Sequence, residues 1–176
     1  MRILTSKLST VLFINLVLIF ALGVATLPAQ QKIKVSGKHT LAYTKQDTIN
    51  VGDTEGHILS LSEFEGTTVS TGKNKFMDGA RDVGMGFSDL VMGNGSGQGY
   101  LKSSLNGVVV FSKHQLKTAT TLSPEGKPVT TFEGSFTWTK GTGKYENIQG
   151  GGTFKGKFIS RIIFIVEWEG EYFIEK

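Results

Sequence analysis

The sequence predicts an all-β protein, a single antiparallel closed β-barrel of about eight strands preceded by a signal peptide. After residue 30, apolar and polar residues alternate with a period of two, whereas helical periodicity is hard to find. Glycine, asparagine and proline separate the alternating segments at the spacing expected of a sandwich or a barrel. We favour closure because it removes the exposed edge strands that an open sheet would carry.

Residues 1–29 have the composition of a secretory signal peptide. A basic start precedes an apolar run over residues 11–22, and small residues offer cleavage near Ala25 or Ala29. An uncleaved membrane anchor is the alternative, because the apolar run is nearly long enough to span a bilayer. We expect cleavage and a mature β-barrel domain over residues 30–176, without a transmembrane span, that is secreted or periplasmic.

Charge and composition exclude several classes of function. The chain has 19 basic and 15 acidic side chains, and loss of Arg2 and Lys7 with the leader leaves 17 against 15. Lysines alternate with acids instead of clustering, so no nucleic-acid partner is expected. The chain contains no cysteine, which excludes a disulfide scaffold and a thiolate nucleophile. No nucleotide, haem, flavin or metal cofactor is indicated, so we expect none.

The first two strands follow from alternation and from one turn signal. Residues 33–43 place apolar side chains on one face, among them Leu41 and Tyr43. The second strand begins after the turn-like pair Gly52-Asp53, and its odd positions are the more apolar ones. That parity predicts that these residues share the inner face: His57, Leu59, Leu61 and Glu63.

Turn signals separate the strands in the middle of the chain. Asn106-Gly107 predicts a two-residue hairpin, because both positions need a positive φ. Residues 123–128, with two prolines and a glycine, predict the next connection. The glycine-rich residues 93–99 lack the spacing of a nucleotide-binding loop and predict a flexible or bulged connection at the barrel rim. They include a glycosylation sequon at Asn94, which matters only if the host glycosylates exported proteins.

Two late segments give the clearest alternation. Residues 131–139 place three aromatic side chains on one face, Phe132, Phe136 and Trp138. Residues 161–172 are apolar or aromatic at most even positions, which include Phe164 and Trp168. Their odd positions include Ile163 and Ile165, so this strand is apolar on both faces there. A subunit or a loop is therefore expected to cover its outer side.

The interior of an eight-stranded barrel can hold either side chains alone or one small ligand. Parity predicts these ligand-contacting residues: Leu41, Tyr43, His57, Leu59, Leu61, Met85, Phe87, Phe132, Phe136, Trp138, Phe164 and Trp168. A filled core without a cavity is the alternative. Glu63 and His57 are the candidate catalytic groups, since a carboxylate and an imidazole facing the cavity could transfer a proton or polarise a ligand oxygen. In the other interpretation, Glu63 lies at the strand end and faces solvent.

Three segments resemble the allene oxide cyclase barrel superfamily, which includes plant allene oxide cyclases and dirigent proteins. Residues 141–150 are similar to its late Gly-[ST]-Gly-x-[FY] loop, and the segment ending in residues 168–172 is similar to its closing hairpin. Residues 51–53 look like the Gly-Asp entry of the family. The chain looks most like uncharacterised exported bacterial members, through the Gly-Asp-x-x-Gly-His motif at residues 52–57 and the Gly-Asn-Gly…Gly-Tyr run at residues 93–100.

The resemblance implies an eight-stranded antiparallel barrel, often trimeric, with an apolar cavity that constrains a reactive guest. No family catalytic residue matches a position here, so none is transferred. We therefore expect an exported barrel that binds an apolar or amphipathic small molecule. One alternative is an isomerase or cyclase that steers a reactive lipid-like or phenolic substrate. The other is a non-catalytic interaction protein that acts through the outer surface of Ile163 and Ile165.

Overall fold

The computed structural model describes residues 30–175 of the chain. Eight strands and one short 3-10 helix, Gly143–Tyr145, account for most of them. The strands are β1 (Ile33–Asn50), β2 (His57–Ser70), β3 (Arg81–Val91), β4 (Asn94–Leu105), β5 (Val108–Leu122), β6 (Pro128–Gly141), β7 (Ile148–Phe158) and β8 (Ile163–Ile174). The predicted leader, residues 1–29, and both of its cleavage sites lie outside the described residues.

The strands form one closed antiparallel barrel. Each strand pairs with the next one along the chain, and β8 pairs with β1 to complete the ring. Closure leaves no edge strand to template further pairing. The prediction of an antiparallel closed barrel of about eight strands is confirmed. Over residues 30–175, no helix has the length and apolar character needed to cross a membrane.

The connections agree with most of the turn signals. Asn106 and Gly107 have φ values of 50° and 79°, as a two-residue hairpin requires. Residues 123–127 link β5 to β6, also as predicted. The prediction for residues 93–99 is wrong, because β4 already begins at Asn94 and only Met92 and Gly93 form the turn. Gly97 of this run lines the cavity instead of turning the chain.

The two ends of the barrel differ in how they are covered. One end, here called the floor, carries the connections at residues 71–80, 106–107 and 142–147. Phe76 and Met77 of the longest connection are buried, and the Phe76 ring centroid lies 4.9 Å from that of Trp138. The other end, here called the mouth, is surrounded by the connections at residues 51–56, 92–93, 123–127 and 159–162. The barrel is therefore plugged at the floor by its own side chains.

Candidate functional site

A cavity of about 730 Å³ runs through the barrel from the floor to the mouth. Trp138, Trp168 and Phe76 line its floor end, and Gly93 and Arg161 line its mouth end. All eight strands contribute side chains to its lining. The interior is therefore hollow and is not completely filled by its own side chains.

The cavity has two unlike walls. The aromatic wall lies on β6, β7, β8 and β1 and consists of Phe132, Phe136, Trp138, Phe154, Phe158, Phe164, Trp168 and Tyr43. Its rings pack at offset and edge-to-face angles, which aromatic pairs prefer. The small-residue wall lies on β2, β3 and β4 and consists of Ser60, Ser62, Gly86, Ser88 and Gly97. The free volume exists because these inward positions carry almost no side chain.

Eight of the twelve residues predicted from parity line the cavity. Those eight are Leu41, Tyr43, Phe87, Phe132, Phe136, Trp138, Phe164 and Trp168. Phe87 is at the margin of this set, because it belongs to the outward-facing residues of β3 and is 43% exposed. The aromatic wall is therefore the part of the site that the sequence predicts best.

The prediction for the other four residues has to be corrected. His57, Leu59, Leu61 and Met85 do not line the cavity, and Leu61 and Met85 are 55% and 57% exposed. The inward positions of β2 and β3 are the even ones, which are mostly serine and glycine. Parity selected the more apolar face of these strands, whereas the inner face is the smaller one.

Neither Glu63 nor His57 lines the cavity, and Glu63 faces solvent, as in the alternative interpretation. Glu63 is exposed on the outer face of β2, where Lys45 of β1 is its register partner. His57 contacts two carboxylates outside the barrel, with Nδ1 2.5 Å from Asp53 Oδ1 and Nε2 2.9 Å from Asp89 Oδ1. Hydrogen bonds to Asp53 and Asp89 raise the pKa of His57 above its usual value.

The structure places a buried polar cluster beside the cavity that was not predicted from the sequence. Asp82 is fully buried on β3, and its Oδ2 lies 2.8 Å from Nδ1 of His39 on β1. The hydroxyl of Thr68 donates to Oδ2 at 2.7 Å, and that of Ser103 donates to Oδ1 at 2.6 Å. His39, Thr68 and Ser103 line the cavity. The only sign of this cluster in the sequence is Asp82 itself, a charged residue at an inward position of a strand.

The hydrogen-bond pattern places a proton on Nδ1 of His39. Its Nδ1 faces the carboxylate of Asp82 and also lies 2.8 Å from the hydroxyl of Thr68, whose hydrogen goes to Asp82. Nδ1 must therefore carry the proton, because neither neighbour offers one to it. No described residue forms a hydrogen bond with Nε2. The imidazole ring stacks on Trp168, with 5.6 Å between ring centroids.

His114 on β5 is the second histidine that lines the cavity. Its ring lies between those of Phe64 and Phe154, at 6.3 Å from each. Burial lowers the pKa of His114 to about 4, and a positive charge on the nearby His39 would act in the same direction. The imidazole of His114 is therefore neutral at pH 7.

Both tryptophans of the chain lie at the floor of the cavity. Their rings are nearly perpendicular, with 6.4 Å between centroids. Neither indole N–H has a hydrogen-bond partner among residues 30–175. Because no tryptophan lies elsewhere, the tryptophan fluorescence of the protein reports on this region alone.

The lining of the mouth includes a single arginine, Arg161, and the described part of the cavity has no lining carboxylate. No group of three or more histidine, cysteine, aspartate or glutamate residues is arranged to hold a metal ion within residues 30–175.

Comparisons with protein-family models, with curated proteins and with solved structures give no match. The resemblance to the allene oxide cyclase superfamily therefore stays a prediction.

Proposed function

We propose that this protein is an exported β-barrel that binds an apolar or amphipathic small molecule in its cavity. The observation that carries the proposal is the cavity of about 730 Å³ with one aromatic wall and an end bordered by exposed residues. Small-molecule sites are typically concave, apolar and of this size, with a few polar groups that fix orientation. The small-residue wall leaves space for a guest that the aromatic wall can contact.

The charge distribution favours an amphipathic guest over a purely apolar one. Arg161 is exposed at the mouth, where it could pair with an anionic head group that remains in water. No described carboxylate lines the cavity to repel such a group. The hydroxyls of Ser60 and Ser62 provide polar contacts along the way. An apolar body in the barrel with a polar group at the mouth agrees with this lining.

Native mass spectrometry of the mature protein, purified from its own organism, tests the proposal. We expect a bound mass that is released when the same sample is denatured, and that is identified as a lipid, terpenoid or phenolic compound. A homogeneous protein without a guest, which also fails to bind such compounds when they are added, would contradict the proposal. The mass of the purified protein in the same spectrum shows whether the leader has been removed.

An isomerase or cyclase of the allene oxide cyclase type is a narrower form of this proposal. A cavity that folds a reactive lipid-like or phenolic guest into one shape accelerates its cyclisation by orientation. The aromatic wall, whose rings pack against one another, supports such a role. Glu63 is not part of it, because its side chain lies outside the barrel.

A second candidate function is interaction with another copy of this chain. The outer faces of β2, β3 and β4 carry neighbouring exposed apolar side chains: Leu61, Met85, Phe87 and Tyr100. Glu63 borders this patch on one side, and Lys102 and Lys113 border it on the other. Two copies related by a two-fold axis would bring the acidic side of one patch against the basic side of the other.

The proposed interface differs from the predicted one. Ile163 and Ile165 are only partly exposed, whereas Leu61 and Met85 are more than half exposed. We propose a homo-oligomer, a dimer on this geometry or the trimer implied by the family resemblance, with the β2–β4 patch as its contact. The solution mass from light scattering tests it, with Met85→Glu expected to give monomers. A monomeric wild-type protein would contradict it.

A further inference from the structure

A buried carboxylate inside a barrel needs a physical explanation. Asp82 is fully buried, and removing a charge from water is costly unless hydrogen bonds compensate it. Three donors surround it, which are the two hydroxyls of Thr68 and Ser103 and Nδ1 of His39. An apolar residue would fill the same position at lower cost. The cluster has one evident result, which is a fixed orientation of the His39 ring with a proton on Nδ1.

That orientation leaves His39 with the properties of a base. Its Nδ1 carries the proton that Asp82 accepts, so in the neutral form of the ring the lone pair is on Nε2. His39 lines the cavity, and no described residue forms a hydrogen bond with its Nε2. Asp82 would stabilise the imidazolium that forms when Nε2 takes up a proton, as a carboxylate does for a catalytic histidine.

A second group in the same cavity is suited to the complementary task. His114 lines the cavity and is neutral at pH 7. A neutral imidazole can donate its N–H to a ligand oxygen. Two histidines in unlike surroundings, one beside a carboxylate and the other between aromatic rings, are a common arrangement for acid–base chemistry.

We infer that the cavity is a catalytic site for proton transfer at the carbon next to a carbonyl group, with His39 as the base and His114 as the hydrogen-bond donor to the carbonyl oxygen. Asp82 is a positioning residue in this site. The substrate class is an apolar ketone or aldehyde with a hydrogen on its α-carbon. This inference rests on the proposed function, because the substrate must first enter the cavity.

The step is balanced without an oxidant or a metal. The α C–H bond breaks and its proton moves to Nε2 of His39. The electron pair of that bond forms the carbon–carbon double bond of the enolate, and the carbonyl pair moves onto oxygen, where the N–H of His114 stabilises it. Return of a proton from His39 to carbon regenerates the carbonyl compound or, in a conjugated substrate, an isomer.

The experiment uses 2-decanone as the probe and the purified mature protein in D₂O near neutral pH. Proton NMR follows the replacement of the α-hydrogens by deuterium, while equilibrium dialysis measures the dissociation constant separately. The reference is the same buffer with free imidazole at the concentration of the protein. We expect the wild-type protein to exceed this reference by about a hundredfold or more, the range of general acid–base catalysis.

Variants assign the effect to the residues of the site. His39→Phe keeps a ring that can pack on Trp168, and it should abolish the acceleration while binding persists. His114→Phe should lower the exchange rate at saturating ketone by roughly tenfold or more. Asp82→Asn should lower this exchange rate and leave the dissociation constant unchanged. If the Asp82 variant does not fold, His39→Phe alone tests the inference. His57→Gln, on the outer face, is the matched control and should exchange like the wild type.

The outcomes separate this inference from the proposed function. Binding of 2-decanone with exchange no faster than in imidazole buffer would overturn the inference and leave the binding function intact. Acceleration that survives in His39→Phe would also overturn it. A wild-type protein that binds neither 2-decanone nor any other apolar compound would contradict the proposed function and the inference together.

Discussion

Trp168 and Gly37 show how one residue type permits another. They are register partners on β8 and β1, and a Cβ added at Gly37 would lie 2.5 Å from Cζ2 of Trp168. The indole therefore lies directly over the glycine, beside the ring of His39. Absence of a side chain at Gly37 determines where the largest ring at the floor can lie.

Gly37→Ala should therefore destabilise the barrel. The added methyl group would also meet the carbonyl oxygen of Val69 at 2.8 Å, and that backbone atom cannot easily move. We expect a loss of about 1–3 kcal/mol in the free energy of unfolding, measured by urea denaturation. The matched control is Gly86→Ala, whose nearest neighbouring atom would be 3.3 Å away. Equal losses in the two variants would contradict this account.

His114 should make stability depend on pH. Its pKa is about 4 in the folded protein and near 6.5 when unfolded, so the unfolded chain binds the proton more tightly. The contribution is complete above pH 6.5 and is lost as the pH falls from 6.5 to 4, by up to about 3 kcal/mol. His114→Phe should remove this part of the profile. An unchanged slope in the variant would show that other groups cause it.

His57 should act in the opposite direction. Its hydrogen bonds to Asp53 and Asp89 raise its pKa, so the folded protein holds the proton more tightly. This contribution is present below pH 6.5 and is lost as the pH rises through the folded pKa. His57→Gln should flatten the stability profile on the alkaline side of pH 6.5, as urea titrations at several pH values would show. A wild-type profile that does not fall there would contradict the assignment.

At the scale of the strand, prediction succeeded where one face is clearly aromatic and the other polar. β6 alternates Phe132, Phe136 and Trp138 with threonines and a glutamate, so its inner face is unambiguous. β2 has serines inside and leucines outside, and apolar parity alone points to the wrong face. The deciding fact is closure around a cavity, which favours small inward residues on these strands. A single strand does not contain that information.

The small-residue wall predicts the effect of filling it. Ser62→Leu adds apolar volume at an inward position of β2 that lines the cavity. We expect binding of the natural guest, or of 2-decanone, to weaken at least about tenfold, because about 1.4 kcal/mol of contact is lost. The matched control Ser96→Leu lies on the outer face of β4 and should bind normally. Equal binding by both variants would place the guest elsewhere.

At the scale of the molecule, the barrel and most of its turns were predictable because they depend on local signals. Period-two alternation and the Asn106-Gly107 turn are readable within a few residues. The cluster of His39, Thr68 and Asp82 was not, because it joins three strands. His39 and Thr68 are register partners, but that register follows from the closed barrel. Chemistry assembled across strands is therefore the part that the sequence conceals.

The closed ring also affects how the chain can be connected. β1 and β8 are the only paired strands that are distant in sequence, and Ile33 is the register partner of Tyr172. The first and last strands therefore start and finish side by side at the floor. A circular permutant that joins residue 175 to residue 32 through a short linker, and opens the chain within residues 123–127, should keep every strand pair. In that chain the pairing of β1 with β8 becomes a local hairpin, and the pairing of β5 with β6 becomes the last gap to close.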